Sequence, residues 1–352
     1  MSNIKLAVLD GDGIGPEVIQ QAIKVLNVIG EQFSHHFNYT YAPVGAIAID
    51  QTGNPLPDDT LELCKQSDAV LFGAIGHPRF DNDPSAKVRP EQGLLRLRRE
   101  LGLYANLRPV ASYDELLHLS PLQTDRIKGV DMLIVRELTG GIYFGDRGRN
   151  EAGDAAYDTC SYSQQEVTRI CEIAFREAAA RRGKLHLVDK ANVLETSRLW
   201  REVVRKMATD HPDIEVNYMF VDNAAMQLVL HPAQFDVIVT SNMFGDILSD
   251  TSSVLAGSLG LLPSSSIGAS VGMFEPIHGS APDLVGQNKA NPIATILSAA
   301  MLMDHLKHRD EAAAIRKAVN TILGQGFGTG DLRPEREVGT DELGDLIAGV
   351  IS

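Results

Sequence analysis

Cysteine is scarce in this 352-residue chain: Cys64, Cys160 and Cys171 are the full set, and no two have a paired spacing. That excludes a disulfide framework and a cysteine zinc site, and it points to a reducing compartment. Long apolar runs are also missing. The longest candidates, such as ATILSAAMLM at 294–303, are broken by Thr and Ser and fall short of the roughly 18 residues a membrane span needs. Positive charge is in deficit, with 32 Lys and Arg against 46 Asp and Glu, a formal net charge of −14. Such a chain has no reason to bind nucleic acid or an anionic membrane, and an anionic ligand would need a local arginine cluster to override the global field. Internal repeats, low-complexity tracts and Pro-rich linkers are absent too. The opening MSNIKLAVLDGDG runs straight into a strand-like segment without a signal-peptide pattern, so a cytoplasmic location is expected.

What is present reads as an α/β protein of about two domains. Hydrophobic residues make up 44% of the chain, enough for a large core. Strand-like runs stand at 4–9, 68–76, 131–138, 184–190, 215–222 and 236–243, mostly as continuous apolar stretches of the kind buried on both faces of a sheet. Helical patterns lie between most of them. Val18, Ala22, Val25, Leu26 and Ile29 follow helical spacing, and SQQE at 163–166 is a capping box ahead of Val167, Ile170, Cys171 and Ala174. The Gly-rich, polar stretch 140–162 breaks this rhythm and reads as an excursion or arm.

Several segments carry chemistry. DGDGIGPE at 10–17 follows a strand and opens a helix, but Pro16 stands where a dinucleotide fingerprint would need its third Gly, so Pro16 reads as a first-turn helix residue. On a helix, Glu91, Leu94, Leu95 and Arg98 would share one face, suited to a ligand with an apolar branch and a carboxylate. Arg108 follows, and Arg136 ends an apolar strand, where it must find an anion. Lys190 ends another such strand and is either snorkelling or functional. In FGDILSD, Asp246 and Asp250 stand one helical turn apart among apolar neighbours, a repulsive spacing. With Asp222 at the end of a third strand they make an all-oxygen set without His or Cys, which suits Mg²⁺ or Mn²⁺ and would relieve the repulsion. The Gly- and Pro-punctuated EPIHGSAPDLVGQNKANP at 275–292 is a long loop of the kind that is usually functional.

Together, GDGIGPE, GLLRLRRELGLYANLRP, RELTGGIYFG, DKANVLE, NMFGDILSD and HGSAPDLVGQNKANP, in this order and nearly end to end, resemble the isocitrate/isopropylmalate dehydrogenase family of β-decarboxylating dehydrogenases. The resemblance implies an isopropylmalate dehydrogenase-like fold, not a Rossmann fold. It implies a cofactor-side domain at 1–103 plus 257–352 and a substrate, metal and dimerisation domain at 104–256, with a cleft between them and an arm at 140–162. It implies oxidation and decarboxylation of a 3-substituted malate with NAD and Mg²⁺ or Mn²⁺, the isopropyl compound of leucine biosynthesis being the expected substrate. Tartrate or malate, homoisocitrate and isocitrate are the alternatives within the family. Further off stand a non-catalytic regulatory relative and an acyl transferase of related fold, which lacks the Asp trio. Carried over residue by residue, the resemblance gives Arg98, Arg108 and Arg136 the substrate carboxylates, and Asp222, Asp246 and Asp250 the metal. Lys190 would take the hydroxyl proton and Tyr143 would protonate the enol carbon. Leu94, Leu95, Asn192, Val193 and Asp222 would also line the substrate. His77, Glu91, Glu275, His278, Gly279, Ser280, Ala281, Pro282, Asp283 and Asn291 would hold the cofactor. Lys190 and Asp222 would come from a second subunit of an obligatory homodimer.

Overall fold

The computed structural model describes residues 2–82 and 86–352. Its contacts gather into two compact units. The first runs to Leu103 and resumes at Gly257 to the C-terminus; the second is Tyr104–Ala256.

In the first unit the strands lie in the order His36–Tyr41, Asn3–Gly11, Ala69–Ala74, Gly272–Pro276, Pro263–Ile267, all parallel except the last, which is antiparallel to its neighbour. Ala69–Ala74 is buried at every position, as its unbroken apolar run requires. Pro16 sits in the first turn of the helix Gly15–Phe33, where its missing N–H is harmless. That helix buries Val18, Ala22, Val25, Leu26 and Ile29 on one stripe, each contributing ~1.5–3 kcal/mol of apolar burial for the larger side chains. The helix Ile293–His305 is buried nearly all round and packs against Gly272–Pro276 and Gly15–Phe33.

The second unit orders its strands Ala105–Ala111, Asp131–Glu137, Val237–Thr240, Lys184–Asp189, Glu215–Phe220, again with one antiparallel strand, Ala105–Ala111. Helices Gln164–Ala180, Glu195–Ala208, Val221–Leu230 and Asn242–Ala256 alternate with them. The capping box closes as expected: Ser163 accepts from the Glu166 N–H, and Glu166 accepts from the Ser163 N–H at 2.7 Å. Between 140 and 162 a short 3₁₀ turn, Gly141–Tyr143, leads into a small antiparallel ribbon, Arg147–Arg149 with Ala156–Asp158, most of it exposed.

Two expectations need correction. The run 215–222 is neither a doubly buried strand nor strand throughout. Glu215–Phe220 pairs with Lys184–Asp189 as the last strand in this unit's order and none of its residues is fully buried. The chain then turns directly into the helix Val221–Leu230, so Asp222 lies in a first helical turn, not at a strand end. The apolar run YMFV crosses the boundary, so composition alone does not mark it. Each unit's strands are mixed in direction, with Pro263–Ile267 antiparallel in the first and Ala105–Ala111 antiparallel in the second.

Candidate active site

In the second unit two strands, a 3₁₀ turn and one helix bring together five of the expected residues, Arg108, Arg136, Tyr143, Asp246 and Asp250. Arg136, buried at the end of Asp131–Glu137, donates Nη1 to Asp246 Oδ1 at 2.6 Å and both Nε and Nη2 to Asn242 Oδ1. Its stem can pass because residue 245 is glycine: a Cβ there would stand 2.6 Å from Arg136 Cγ. Arg108, on Ala105–Ala111, donates to Ser249 Oγ at 2.7 Å and Asp250 Oδ1 at 3.1 Å. Asp246 and Asp250 thus share one face of Asn242–Ala256, and each meets an arginine in this chain. Arg136 and Arg108 thus offset the repulsion within the protein itself, a contribution not foreseen beside the expected metal.

Tyr143 donates its hydroxyl to Asp246 Oδ2 at 2.9 Å. Partial burial, then the bond to Asp246 and its charge, push the phenol above its ordinary value, so it stays protonated. The turn that carries it is anchored by Glu137, fully buried, which accepts from the Thr139 N–H, the Thr139 hydroxyl and the Gly140 N–H. Burial raises the Glu137 carboxyl in spite of those bonds. Gly141 holds φ +75°, and a Cβ on it would overlap the Tyr162 hydroxyl. That hydroxyl accepts from the Asn242 N–H at 2.9 Å, tying the Tyr143 turn to the helix that carries the carboxylates.

Lys190 is held by its backbone: its N–H donates to Ser197 Oγ at 3.0 Å, and its carbonyl accepts from Val193 and Leu194. The preceding Asp189 is buried and pairs with Arg201 at 2.6 Å. Lys190 Nζ donates to Asp222 Oδ1 at 2.6 Å, and this bond holds the exposed Asp222 carboxyl below its ordinary value. Asn192 and Val193 lie beside them in solvent, Val193 at 61% exposure. Asp222 does not gather with Asp246 and Asp250 into one ligand cluster within this chain; among the described residues the trio of potential ligands that does gather is His35, His308 and Glu311.

The remaining residues lie in the first unit. Ile14 donates its N–H to the Ser280 carbonyl at 2.9 Å, and Gly13, at φ +58°, presses on the same carbonyl, which a Cβ would overlap. GDGIGPE and the 275–292 loop therefore form one backbone cradle. Glu17 accepts from the Gly286 N–H at 2.6 Å, and Asn291 donates to Asp331 at 3.1 Å while capping Ile293. Glu91 Oε1 stands where a Cβ on Gly76 would come within 3.0 Å, next to His77. A pocket of about 510 Å³ runs from Asp10–Gly13 to His77 and Arg79. Ala281 turns the loop in the left-handed region, and Gly279, Pro282 and Asp283 face solvent. His278 gives Nδ1 to the Gly279 carbonyl at 3.0 Å; its Nε2 is covered by protein and has no partner, and burial keeps the ring below its ordinary pKa.

Arg98 Nη2 pairs with Glu275 Oε1 at 2.7 Å, so an expected substrate residue and an expected cofactor residue meet each other. Leu94 and Leu95 do not share an environment. Leu94 packs against the core around Leu56, Leu97 and Met273, while Leu95 is 54% exposed. Asn242, Gly245, Ser249, Glu137 and Tyr162 escaped the sequence reading. Only Gly245 left a signal there, a glycine inside a helical pattern.

Residues 5–347 match the sequence model of the isocitrate/isopropylmalate dehydrogenases. The chain belongs to that family. A 3-isopropylmalate dehydrogenase of Carboxydothermus hydrogenoformans is 55% identical over 98% of this chain and 94% of its own. One of Clostridium acetobutylicum is 53% identical over 99% of both. Among solved structures, an isocitrate dehydrogenase from Methylococcus capsulatus superposes with a TM-score of 0.87 at 34% identity, covering 99% of both chains. A β-decarboxylating dehydrogenase from Thermococcus kodakarensis gives 0.83 at 36%, covering 99% of this chain and 96% of its own. The fold is that of the isopropylmalate dehydrogenases, which explains why the glycine loop of this family member fails the Rossmann pattern. No helix among the described residues is long and apolar enough to cross a membrane.

Proposed function

We propose that the chain catalyses the NAD-dependent oxidative decarboxylation of (2R,3S)-3-isopropylmalate to 4-methyl-2-oxopentanoate, a step of leucine biosynthesis. The observation that carries the chemistry is the set on one helix face: Asp246 and Asp250 beside Arg136, Arg108 and the Tyr143 hydroxyl. The full-length similarity to 3-isopropylmalate dehydrogenases supports the substrate.

The residues present fit the groups the family uses. Asp222, Asp246 and Asp250 offer only carboxylate oxygens, and Asp250 and Asp222 keep most of their side-chain surface open, as a hard cation requires. Held by Asp246 and Asp250 of one subunit with Asp222 of a second, Mg²⁺ or Mn²⁺ would supply Lewis-acid stabilisation of charge on the substrate oxygen, and NAD would accept the hydride. The orphaned His278 Nε2 and the open Asp283 carboxylate fit the adenosine half of NAD, and a carboxylate there repels a 2′-phosphate. Glu91, His77, Glu275, Ser280 and Asn291 would complete the cofactor contacts.

In this reading Arg98, Arg108 and Arg136 bind the substrate carboxylates. Lys190 is the base for the C2 hydroxyl proton; its neighbour Asp222 orients it. Once CO₂ has left, Tyr143, kept protonated by partial burial and by Asp246, delivers a proton to the enol carbon. Leu95, with Val193, would meet the isopropyl branch. A homodimer in the cytoplasm completes the proposal. The exposed Val193, Tyr157, Met226 and Ile247 of the second unit give such a dimer an apolar surface to bury. The test is direct: with Mn²⁺ and NAD⁺, racemic 3-isopropylmalate should produce NADH. Isocitrate, whose extra carboxylate finds no cation among leucines, should be turned over far more slowly. NADP⁺ should also be a poor substitute. Comparable kcat/KM for isocitrate and 3-isopropylmalate would overturn the assignment.

A further inference from the structure

His35, His308 and Glu311 come together in the first unit from opposite ends of the sequence, and none of them is among the residues assigned above. Both histidines are placed by the same backbone device. The helix Gly15–Phe33 ends on Ser34 in the left-handed region, φ 59°, and the next N–H, of His35, reaches back to the Gly30 carbonyl at 2.9 Å. The helix Ile293–His305 is followed by Lys307 at φ 71°, and the His308 N–H reaches back to the Met303 carbonyl at 2.8 Å. Each is a six-to-one closure of the Schellman kind, so each imidazole hangs from a fixed point just past a helix end. Glu311 lies one turn into the helix Arg309–Gly324, three residues after His308 and on its face.

The ligand atoms of the three lie within 4.8 Å of one another. His35 Nε2 is 2.5 Å from Glu311 Oε1, and His308 Nδ1 is 3.6 Å from the same oxygen. Their side chains are 6%, 22% and 10% exposed for His35, His308 and Glu311. A hydrogen-bonded His–Glu pair explains only part of this. The His308 ring meets His35 edge-on at 4.4 Å, yet its Nδ1 is too distant from Glu311 for a hydrogen bond. The second nitrogen of His35, Nδ1, is covered by protein and has no partner. On a tetrahedral ion with ligand bonds of ~2.0–2.1 Å, neighbouring ligand atoms stand ~3.3 Å apart. The His308–Glu311 separation is already near that figure, and the His35–Glu311 pair need open by less than about 1 Å. Two helix C-termini, with their partial negative charge, end beside the cluster, while the N-terminus of Arg309–Gly324 opposes them.

We propose that His35, His308 and Glu311 bind a divalent cation of the zinc class, with water in the fourth position, and so fasten the helix Arg309–Gly324 to the end of Gly15–Phe33. Two imidazoles and one carboxylate select a borderline ion, whereas the aspartates of the second unit select a hard one, so the two sets sort metals by chemistry. Binding to the folded state alone raises stability by mass action.

The test uses the full-length protein in saturating Mg²⁺, titrated with Co²⁺ and followed by visible absorption. A single equivalent per chain should give the intense ligand-field bands of tetrahedral cobalt, which Zn²⁺ then displaces. Asp246→Asn should keep those bands. His308→Ala and Glu311→Gln should weaken binding at least about tenfold. Zn²⁺ should raise the unfolding midpoint of the wild type but not of these variants. Bands absent from the wild type, undiminished in a folded His308→Ala, or lost in Asp246→Asn each overturn the proposal. Should either substitution unfold the chain, the wild-type spectrum and its zinc-dependent midpoint still decide.

Discussion

The two units hold their candidate residues by different means. In the second unit charge does it: Arg136 with Asp246, Arg108 with Asp250 and Lys190 with Asp222 are paired side chain to side chain. In the first unit Arg98 and Glu275 also pair by charge, but the loop around Ser280 is held mainly through the backbone. Ile14 bonds to the Ser280 carbonyl, Gly13 packs where no side chain fits, and Gly286 is held through its N–H by Glu17. Under the proposed function the contrast follows from what each unit would recognise. Carboxylates and a cation are gripped by opposite charge, and the ion pairs keep those charges from being stranded before ligand arrives. A flat, extended cofactor is received by shape, so a rigid loop with open side chains serves better.

That difference sets what should break each side. The largest effect is expected on the charged side. Lys190→Ala should lower kcat by about 10²–10⁴-fold, the usual range for loss of a positioned base. Its unfolding midpoint should barely move, because the Lys190–Asp222 pair is solvent-exposed. Activity within tenfold of wild type would remove Lys190 from the mechanism. On the backbone side the expected damage is structural. Gly13→Ala must adopt φ +58° and overlap the Ser280 carbonyl, so it should cost at least about 2 kcal/mol in denaturant titration. It should raise KM for NAD more than KM for 3-isopropylmalate. Equal rises in both would mean that the cradle is not specific to the cofactor.

A smaller effect probes whether charge matters inside the second unit as well. His186 is buried against Phe235, and burial pushes its imidazole down to about 4 from an ordinary 6.5. The unfolded chain therefore binds a proton that the folded chain refuses between those values. Stability from neutral His186 is complete above pH 6.5 and is lost as pH falls towards 4, by up to about 3 kcal/mol. His186→Leu should flatten that part of the stability profile relative to wild type; parallel profiles would show that His186 does not titrate this way. The smallest effect separates two neighbours. Leu94→Ala opens core packing and should cost ~1–3 kcal/mol of stability. Leu95→Ala should leave stability within ~0.5 kcal/mol and lower kcat/KM about tenfold for 3-isopropylmalate while sparing malate. If Leu95→Ala reduces both substrates alike, the branch is read elsewhere.

Much of the fold was legible because its signals are local. Pro16, the Ser163 capping box and the buried run Ala69–Ala74 need no knowledge of distant sequence. Pro263–Ile267 was not legible: PSSSI has the composition of a loop, yet every residue in it is buried in the sheet. The boundary at Phe220 was missed because the apolar run continues through it. In the site, the carboxylates of Asp246 and Asp250 announced themselves by spacing. Their arginines could not be matched to them, since Arg136 and Arg108 lie 110 and 142 positions away. Periodicity, by contrast, does place Leu94 and Leu95 apart: Leu94 falls at the edge of the stripe that buries Pro90, Gly93 and Leu97, and Leu95, about 100° further round, falls on the far side, a difference that the expectation of one shared branch pocket overlooked.

The strand order of the first unit also shapes how the chain is made. Ala69–Ala74 takes Asn3–Gly11 on one side and Gly272–Pro276 on the other. The partner of Ala69 on that second side is Gly272, 203 positions later. At ~5–20 residues per second, a ribosome leaves that apolar edge without its partner for roughly 10–40 s, while Tyr104–Ala256 emerges whole and is free to fold. An open, flat, hydrophobic strand edge is a template for wrong pairing. The nascent chain therefore carries an open apolar strand edge midway through synthesis, and slower translation lengthens that exposure.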